Sequence, residues 1–326
     1  MEDLWSNLFW FLAGTVILLI VSLLHVAYLT YAERKIIARM QQRLGPNRVG
    51  PRGLLQPIAD MLKLLTKEDI IPAQVDRPVF YIAPFISLVC AGTGIALVPL
   101  WENFVISNIN VGLLFILALS SLSAYGVILS GWASNSRYAF LGGLRASAQV
   151  ISYEIAMSLA LLSVVLMAGS LNLGDIVRAQ INSPFKVYLI PQLIGFFVFI
   201  VSAVAECNRT PFDLPEAETE LVAGYFVEYS GMRFALFYLA EYFGMLVMSA
   251  LAVTCFLGGW AGPFEVPYVP FFWFVVKVYA LLFFYIWIRA TLPRYRYDQL
   301  MDLGWKVLIP LGLINLFLTA LIKLIF

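Results

Sequence analysis

The sequence predicts an all-α polytopic membrane protein with eight transmembrane helices and an interfacial amphipathic helix in the first inner loop. Three observations carry that reading. Apolar residues fill 61% of the 326 positions and charged residues 13%, against about 45–50% and about 25% in soluble domains. Eight apolar stretches reach the roughly 20 residues that a crossing helix needs. Lys and Arg fall almost entirely in alternate loops. So few polar side chains cannot cover a water-facing surface, and a net charge of +1 offers nothing to an anionic polymer. Secreted, disordered and nucleic-acid-binding classes are excluded.

The first span runs from Phe9 to Tyr31. Glu2 and Asp3 precede it and Arg34, Lys35 and Arg39 follow it, the reverse of a signal peptide's charge order, so it reads as a retained anchor. The single histidine, His25, is expected to pack at a helix contact, because a transmembrane haem usually needs two axial ligands. Residues 45–68 form an inner-face loop. It opens with Gly45-Pro46-Asn47-Arg48-Val49-Gly50-Pro51-Arg52-Gly53, which is turn chemistry without the Gly-Lys-Ser/Thr ending of a phosphate loop. From Gly53 to Lys67, Leu54, Ile58, Met61 and Leu65 recur at four, three and four, while Gln56, Asp60, Lys63 and Lys67 fall elsewhere. This is an amphipathic helix too short and too charged to span, and it should lie along the inner interface.

The remaining spans are Val79 to Leu100, Val111 to Gly131, Leu144 to Gly169, Val187 to Ala205, Phe234 to Gly259, Phe271 to Leu292 and Trp305 to Ile325, all within one integral membrane domain over 1–326. The odd-numbered loops and their helix ends carry seventeen Lys and Arg, nine of them in the first; the other side has only Arg178, Lys186 and Lys323. The positive-inside rule therefore puts the odd loops inside and both termini outside. Lys277 lies in the seventh span, close enough to its outer edge to snorkel. Cys90, Cys207 and Cys255 are far apart and form no CxxC pair, so neither a disulfide framework nor a zinc or iron–sulfur site is indicated. The chain is expected to bind no redox cofactor of its own.

The chemistry lies in the acids. Glu154 falls about 14 Å into the fourth span, counting from Arg145 at 1.5 Å per residue; Glu241 is similarly deep in the sixth, and Glu206 closes the fifth. An ionised carboxylate at such depth costs about 2.5–3.5 kcal/mol even on lenient scales, and no enclosed cation is evident beside them. The inner loop 206–233 gathers Glu206, Asp213, Glu216, Glu218, Glu220 and Glu228 within twenty-three residues. Glu216 and Glu220 would share a helical face behind Pro215, and crowding with partial burial favours titration nearer neutrality. The plain alternatives are an exposed acidic loop and isolated structural hydrogen bonds. Interleaved Phe212, Leu214, Leu221, Tyr225 and Phe226 argue against the first, and acids on three successive spans against the second.

A family resemblance is carried by Ala32-Glu33-Arg34-Lys35, by Arg43-Leu44-Gly45-Pro46-Asn47-Arg48-Val49-Gly50 with Leu55-Gln56-Pro57 and Ala59-Asp60, by Leu141-Gly142-Gly143-Leu144-Arg145-Ala146, by Ile151-Ser152-Tyr153-Glu154, and by the run from Ala205 through Asn208-Arg209-Thr210-Pro211-Phe212-Asp213-Leu214 to Glu228-Tyr229. The sequence resembles, from about Glu33 to Lys306, the quinone-site membrane subunit of respiratory complex I, the proton-pumping NADH:quinone oxidoreductase. The resemblance implies eight membrane helices with an interfacial helix after the first. It implies a subunit that forms the entrance and floor of a quinone chamber and couples quinone reduction to proton translocation. By match to the family's motifs, Glu154, Glu206, Glu216, Glu218, Glu220, Glu228 and Glu241 would form a proton relay. Arg34, Asp60 and Arg289 would border the chamber; Leu54, Ile58 and Met61 would guide the quinone tail into it.

Quinone is then the substrate, and NADH, FMN and iron–sulfur clusters belong to partner subunits. Those partners would be the iron–sulfur-cluster-bearing and quinone-site peripheral subunits and the small and antiporter-like membrane subunits, in the bacterial inner membrane. Two other readings stay open: the homologous membrane subunit of a hydrogenase or formate-oxidising complex, and a stand-alone proton-coupled transporter.

Overall fold

A computed structural model describes the chain except Met1, Asn103, Phe185, residues 215–223, residues 263–268 and Phe326, with side chains from Gly14 onward save at 18 and 325. The described residues form helices and turns without a β-strand. Seven helices are long and apolar enough to cross a membrane, and the chain divides into two compact units, Met1–Glu68 and Asp69–Phe326.

In the first unit, α1 (Glu2–Met40) has 39 residues, about 58 Å at 1.5 Å per residue, nearly twice a hydrocarbon core of about 30 Å. Hydropathy ends the predicted span at Tyr31, but no Gly or Pro breaks the backbone there, so the helix continues through Glu33, Arg34 and Arg39. The chain then turns sharply. Gly53 has φ +83°, and a Cβ there would lie 2.2 Å from the Pro46 carbonyl oxygen, so the position tolerates only glycine. A 3₁₀ turn at Pro51–Gly53 leads to α2 (Gln56–Thr66), with Pro57 in the first turn, where a missing N–H costs nothing. Its polar edge is tied to α1. Arg34 Nη1 donates to Asp60 Oδ2 at 2.7 Å, Gln56 Nε2 to Asp60 Oδ1 at 2.9 Å, and Tyr31 Oη to the Arg52 carbonyl at 2.7 Å. The apolar residues Leu54, Leu55, Ile58, Met61, Leu62 and Leu65 are 43–56% exposed.

The second unit contains α3 (Arg77–Ile95), α4 (Gly112–Ala133), α5 (Arg137–Ala168), α6 (Leu173–Asn182), α7 (Leu193–Glu206), α8 (Gly231–Phe256), α9 (Val269–Thr291) and α10 (Tyr297–Asp302). A wider π-helical turn, Leu303–Leu308, joins α10 to α11 (Ile309–Ile325). Helix α5 packs on α4, α7 and α11, and α8 on α3, α7 and α9. Small residues let backbones approach: a Cβ at Gly126 of α4 would lie 2.0 Å from Ser87 Oγ of α3.

Pro84 inside α3 removes the amide that would have bonded to the Phe80 carbonyl. Tyr229 Oη, from the segment before α8, donates to that carbonyl at 3.3 Å, and its ring stacks on Phe80 at 4.0 Å. Burial raises the Tyr229 phenol above its ordinary value, so it stays a donor at any physiological pH.

Helix α7 departs from the predicted fifth span. It has 14 residues, because Pro191 and the turn from Tyr188 to Gln192 take the place of its first helical turns. Helix α6 has no counterpart in the sequence reading; it is short, buries Leu173, Ile176, Val177 and Gln180, and is capped by Asn172 Oδ1, which accepts from Gly174 N at 2.9 Å. Lys277 does not extend toward solvent. Its ammonium donates to the carbonyls of Leu257, Gly259 and Ala261 at 2.6, 3.1 and 2.6 Å, where the turn that follows α8 presents acceptors to a cation.

Candidate functional site

The intramembrane acids stand on three helices, and a fourth bonds to two of them. Ser120 and Ser121 are consecutive on α4. Ser120 Oγ donates to Glu206 Oε1, on the last residue of α7, and Ser121 Oγ donates to Glu154 Oε1 on α5. Successive helical residues point about 100° apart, so one turn of α4 reaches both neighbours. The two carboxylates lie within electrostatic reach of each other. Glu206 Oε2 is buried and has no hydrogen-bond partner among the described residues.

Beside Glu206 lies a partly open cavity of about 90 Å³, lined also by Glu241 of α8, by Ser120, Ser123, Ser87, Cys90 and Asn208, and otherwise by apolar side chains such as Ile116, Val127 and Met248. One water needs roughly 10–15 Å³ of such space for its centre, so several waters fit beside the two carboxylates. Glu206, Arg209 and Glu241 all act electrostatically on Cys207, which follows Glu206 directly. The sequence suggested no enclosed cation here. The structure supplies one: Arg209 is 5% exposed, with its guanidinium 4.3 Å from the Tyr242 ring centroid and 6.0 Å from that of Tyr238. It was hidden in the sequence because Arg209 stands in the loop, and only the turn after α7 folds it back over α8.

That turn is itself fixed by a residue the sequence reading passed over. Gln149 of α5 is fully buried, and its Nε2 donates to the carbonyls of Ala205 and Phe212, each at 2.8 Å. Asp213 is buried and paired with Arg294 at 3.0 Å, and Tyr295 N donates to the Pro211 carbonyl at 3.1 Å. The segment after α9 therefore clamps the segment after α7.

Of the other acids singled out in the sequence, Glu228 is half-buried ahead of α8, whereas Glu216, Glu218 and Glu220 lie outside the described residues. Arg34 and Asp60 form an ion pair within the first unit. Arg289 stands in the last turn of α9 in the second. Leu54, Ile58 and Met61 are exposed on one side of α2. Among the described residues no three His, Cys, Asp or Glu side chains gather as a metal-binding group.

The fold and this site define a class: a polytopic membrane protein whose helices bring carboxylates to a shared polar interior. Comparison with known proteins makes the class particular. A family described as NADH dehydrogenase matches residues 13–320. The chain is 57% identical over 304 residues to the NADH-quinone oxidoreductase H subunit of Rickettsia typhi, covering 91% of this chain and 89% of that protein. It is 58% identical over 295 residues to the corresponding protein of Rickettsia bellii, with 89% and 87% covered. It is 54% identical over 319 residues to that of Ralstonia pickettii, with 94% and 90% covered. The chain belongs to this family, the H-type membrane subunits of respiratory complex I.

Proposed function

We infer that this chain forms the entrance and part of the wall of the quinone chamber in a proton-pumping NADH:quinone oxidoreductase, and that its buried acids couple quinone reduction to proton translocation. The observation that carries the coupling role is that adjacent serines of α4 bond to Glu206 and Glu154, while Glu206 shares one cavity with Glu241. Reduction of a quinone to a quinol takes two electrons and two protons. Negative charge developing in the chamber draws protons onto nearby acids, and a row of carboxylates linked by hydroxyls and waters passes that demand into the membrane. Electrons arrive from partner subunits that carry FMN and iron–sulfur clusters; this chain contributes no redox centre.

The same reading assigns the remaining parts. Arg34 and Asp60, paired at 2.7 Å, and Arg289 border the chamber. Helix α2 lies along the inner interface with Leu54, Ile58 and Met61 toward the isoprenoid tail. Glu216, Glu218, Glu220 and Glu228 continue the relay on the inner side toward antiporter-like subunits. Helix α7 counts as the eighth crossing. It runs antiparallel to α5, because Gln192 at its start meets Ser163 at 2.8 Å whereas Ala205 at its end meets Gln149. Those α5 positions are about 21 Å apart at 1.5 Å per residue. An even count with seventeen inner and three outer basic residues sets both termini on the outer face of a bacterial inner membrane.

The test is charge removal that preserves size. Glu206→Gln and Glu241→Gln should leave the complex assembled, since Gln fills the same space and accepts the same hydrogen bonds. Quinone reductase activity and proton pumping in reconstituted vesicles should each fall by about 100-fold or more, the range that positioned proton-transfer groups supply. Normal pumping in both variants would remove the relay assignment.

A further inference from the structure

Resting on the relay reading, we propose that Ser120 and Ser121 are the positioning residues of the acid pair: one turn of α4 docks Glu206 and Glu154, and the Ser121 hydroxyl turns between two acceptors as Glu154 loses and gains its proton. Other serines in this bundle bond back to their own helix, as Ser130 does to the Val127 carbonyl and Ser147 to that of Leu144. Ser121 has both kinds of acceptor within reach. Its Oγ lies 3.1 Å from the Leu117 carbonyl, one turn back on α4, and also bonds to Glu154 Oε1. A serine hydroxyl has one proton to donate and lone pairs to accept with.

The two states of Glu154 therefore select two rotor positions. Ionised Glu154 accepts a hydrogen bond from the Ser121 hydroxyl. Protonated Glu154 donates its own proton to Ser121 Oγ, and the serine proton moves to the Leu117 carbonyl, so no group is left unsatisfied in either state. No bond other than hydrogen bonds changes, and the proton count is conserved at each step. Ser120 has no such second acceptor on its own helix among the described contacts. It lines the cavity that Glu206 and Glu241 share, so the matching rearrangement there draws on cavity water. The pair thus holds two ends of the relay at adjacent residues, Glu154 with a serine that has a second acceptor on α4 and Glu206 with a serine that opens on the cavity.

The experiment uses the assembled complex carrying Ser121→Ala, Ser121→Thr, Ser120→Ala, Glu154→Gln or Glu206→Gln. Redox-induced infrared difference spectra are the principal readout, with the Glu154 band identified by its loss in Glu154→Gln and the Glu206 band by its loss in Glu206→Gln. Ser121→Ala should move the Glu154 band to higher wavenumber, because a hydrogen bond to the carboxyl is lost, and lower pumping per electron severalfold with assembly unchanged. Ser121→Thr, which keeps the hydroxyl, should restore both. Ser120→Ala should shift the Glu206 band and leave the Glu154 band in place. Unmoved bands in both alanine variants, or a failure of threonine to restore either readout, overturns the inference. If Glu154→Gln pumps normally while the serine band shifts occur as expected, the docking stands and the relay reading is what fails.

Discussion

At the residue scale, an intramembrane charge is legible in sequence and its partner is not. Glu154, Glu206 and Glu241 stand out because a carboxylate in a run of Leu, Val and Phe has no cheap explanation. Ser120, Ser121 and Gln149 do not stand out, since a serine on an apolar helix often bonds to its own backbone, and the sequence cannot distinguish the serines that reach an acid on a neighbouring helix. Lys277 shows the same limit. Its position suggests a snorkelling side chain, whereas the three carbonyls that receive it come from the turn after another helix. Lys277→Met keeps the length and removes every donor, so it should strand those acceptors. Each buried acceptor left unmade costs about 1–3 kcal/mol, so the purified complex should lose several degrees of thermal midpoint, and Lys277→Arg should recover part of the loss. An unchanged midpoint in Lys277→Met would mean that water replaces the ammonium without cost.

At the scale of elements, hydropathy locates the helices and misplaces their ends. The first predicted span stops at Tyr31 because the apolar run stops there, yet α1 reaches Met40, since helix continuation depends on backbone and not on polarity. By hydropathy the fifth begins at Val187, with the apolar run; Pro191 and the turn around it delay α7 to Leu193. Helix α6 escaped because a search for windows of about 20 apolar residues passes over a ten-residue helix. The amphipathic segment was readable, at Gly53 to Lys67 against Gln56–Thr66, because its stripe repeats at helical spacing. That stripe gives α2 its prediction. Ile58 is half exposed on the apolar side, so Ile58→Trp adds bulk without disturbing Arg34 and Asp60 on the other edge. Turnover with long-tailed quinones should drop several times more than turnover with short soluble analogues. Equal slowing of both would argue that α2 plays no part in tail access.

At the scale of the whole molecule, the open structural question is one of parity, and charge decides which answer is physically cheaper. Seven helices meet the length and hydropathy of a crossing, and α7, with 14 residues, does not. If α7 failed to cross, every later segment would change sides, and Arg289, Arg294, Arg296 and Lys306 would face outward against the positive-inside rule. If it crosses, the turn from Tyr188 to Gln192 and the 14-residue helix share the thickness between them. The buried contacts of Gln192 with Asn315 at 2.7 Å and with Thr319 at 2.6 Å then anchor its outer end on α11. Reporter fusions separate the two cases. With eight crossings, alkaline phosphatase fused after Phe326 should be active and a green fluorescent protein there dark, and truncated fusions after Asn182 should behave the same way. Fusions truncated after Arg296 should give the reverse, a fluorescent reporter and an inactive phosphatase. A fluorescent fusion after Phe326 together with an active phosphatase after Arg296 would place the carboxy-terminal half the other way round. It would leave α7 as a re-entrant segment, and Glu206 at the bottom of a blind cavity would then have no second face to pass a proton toward.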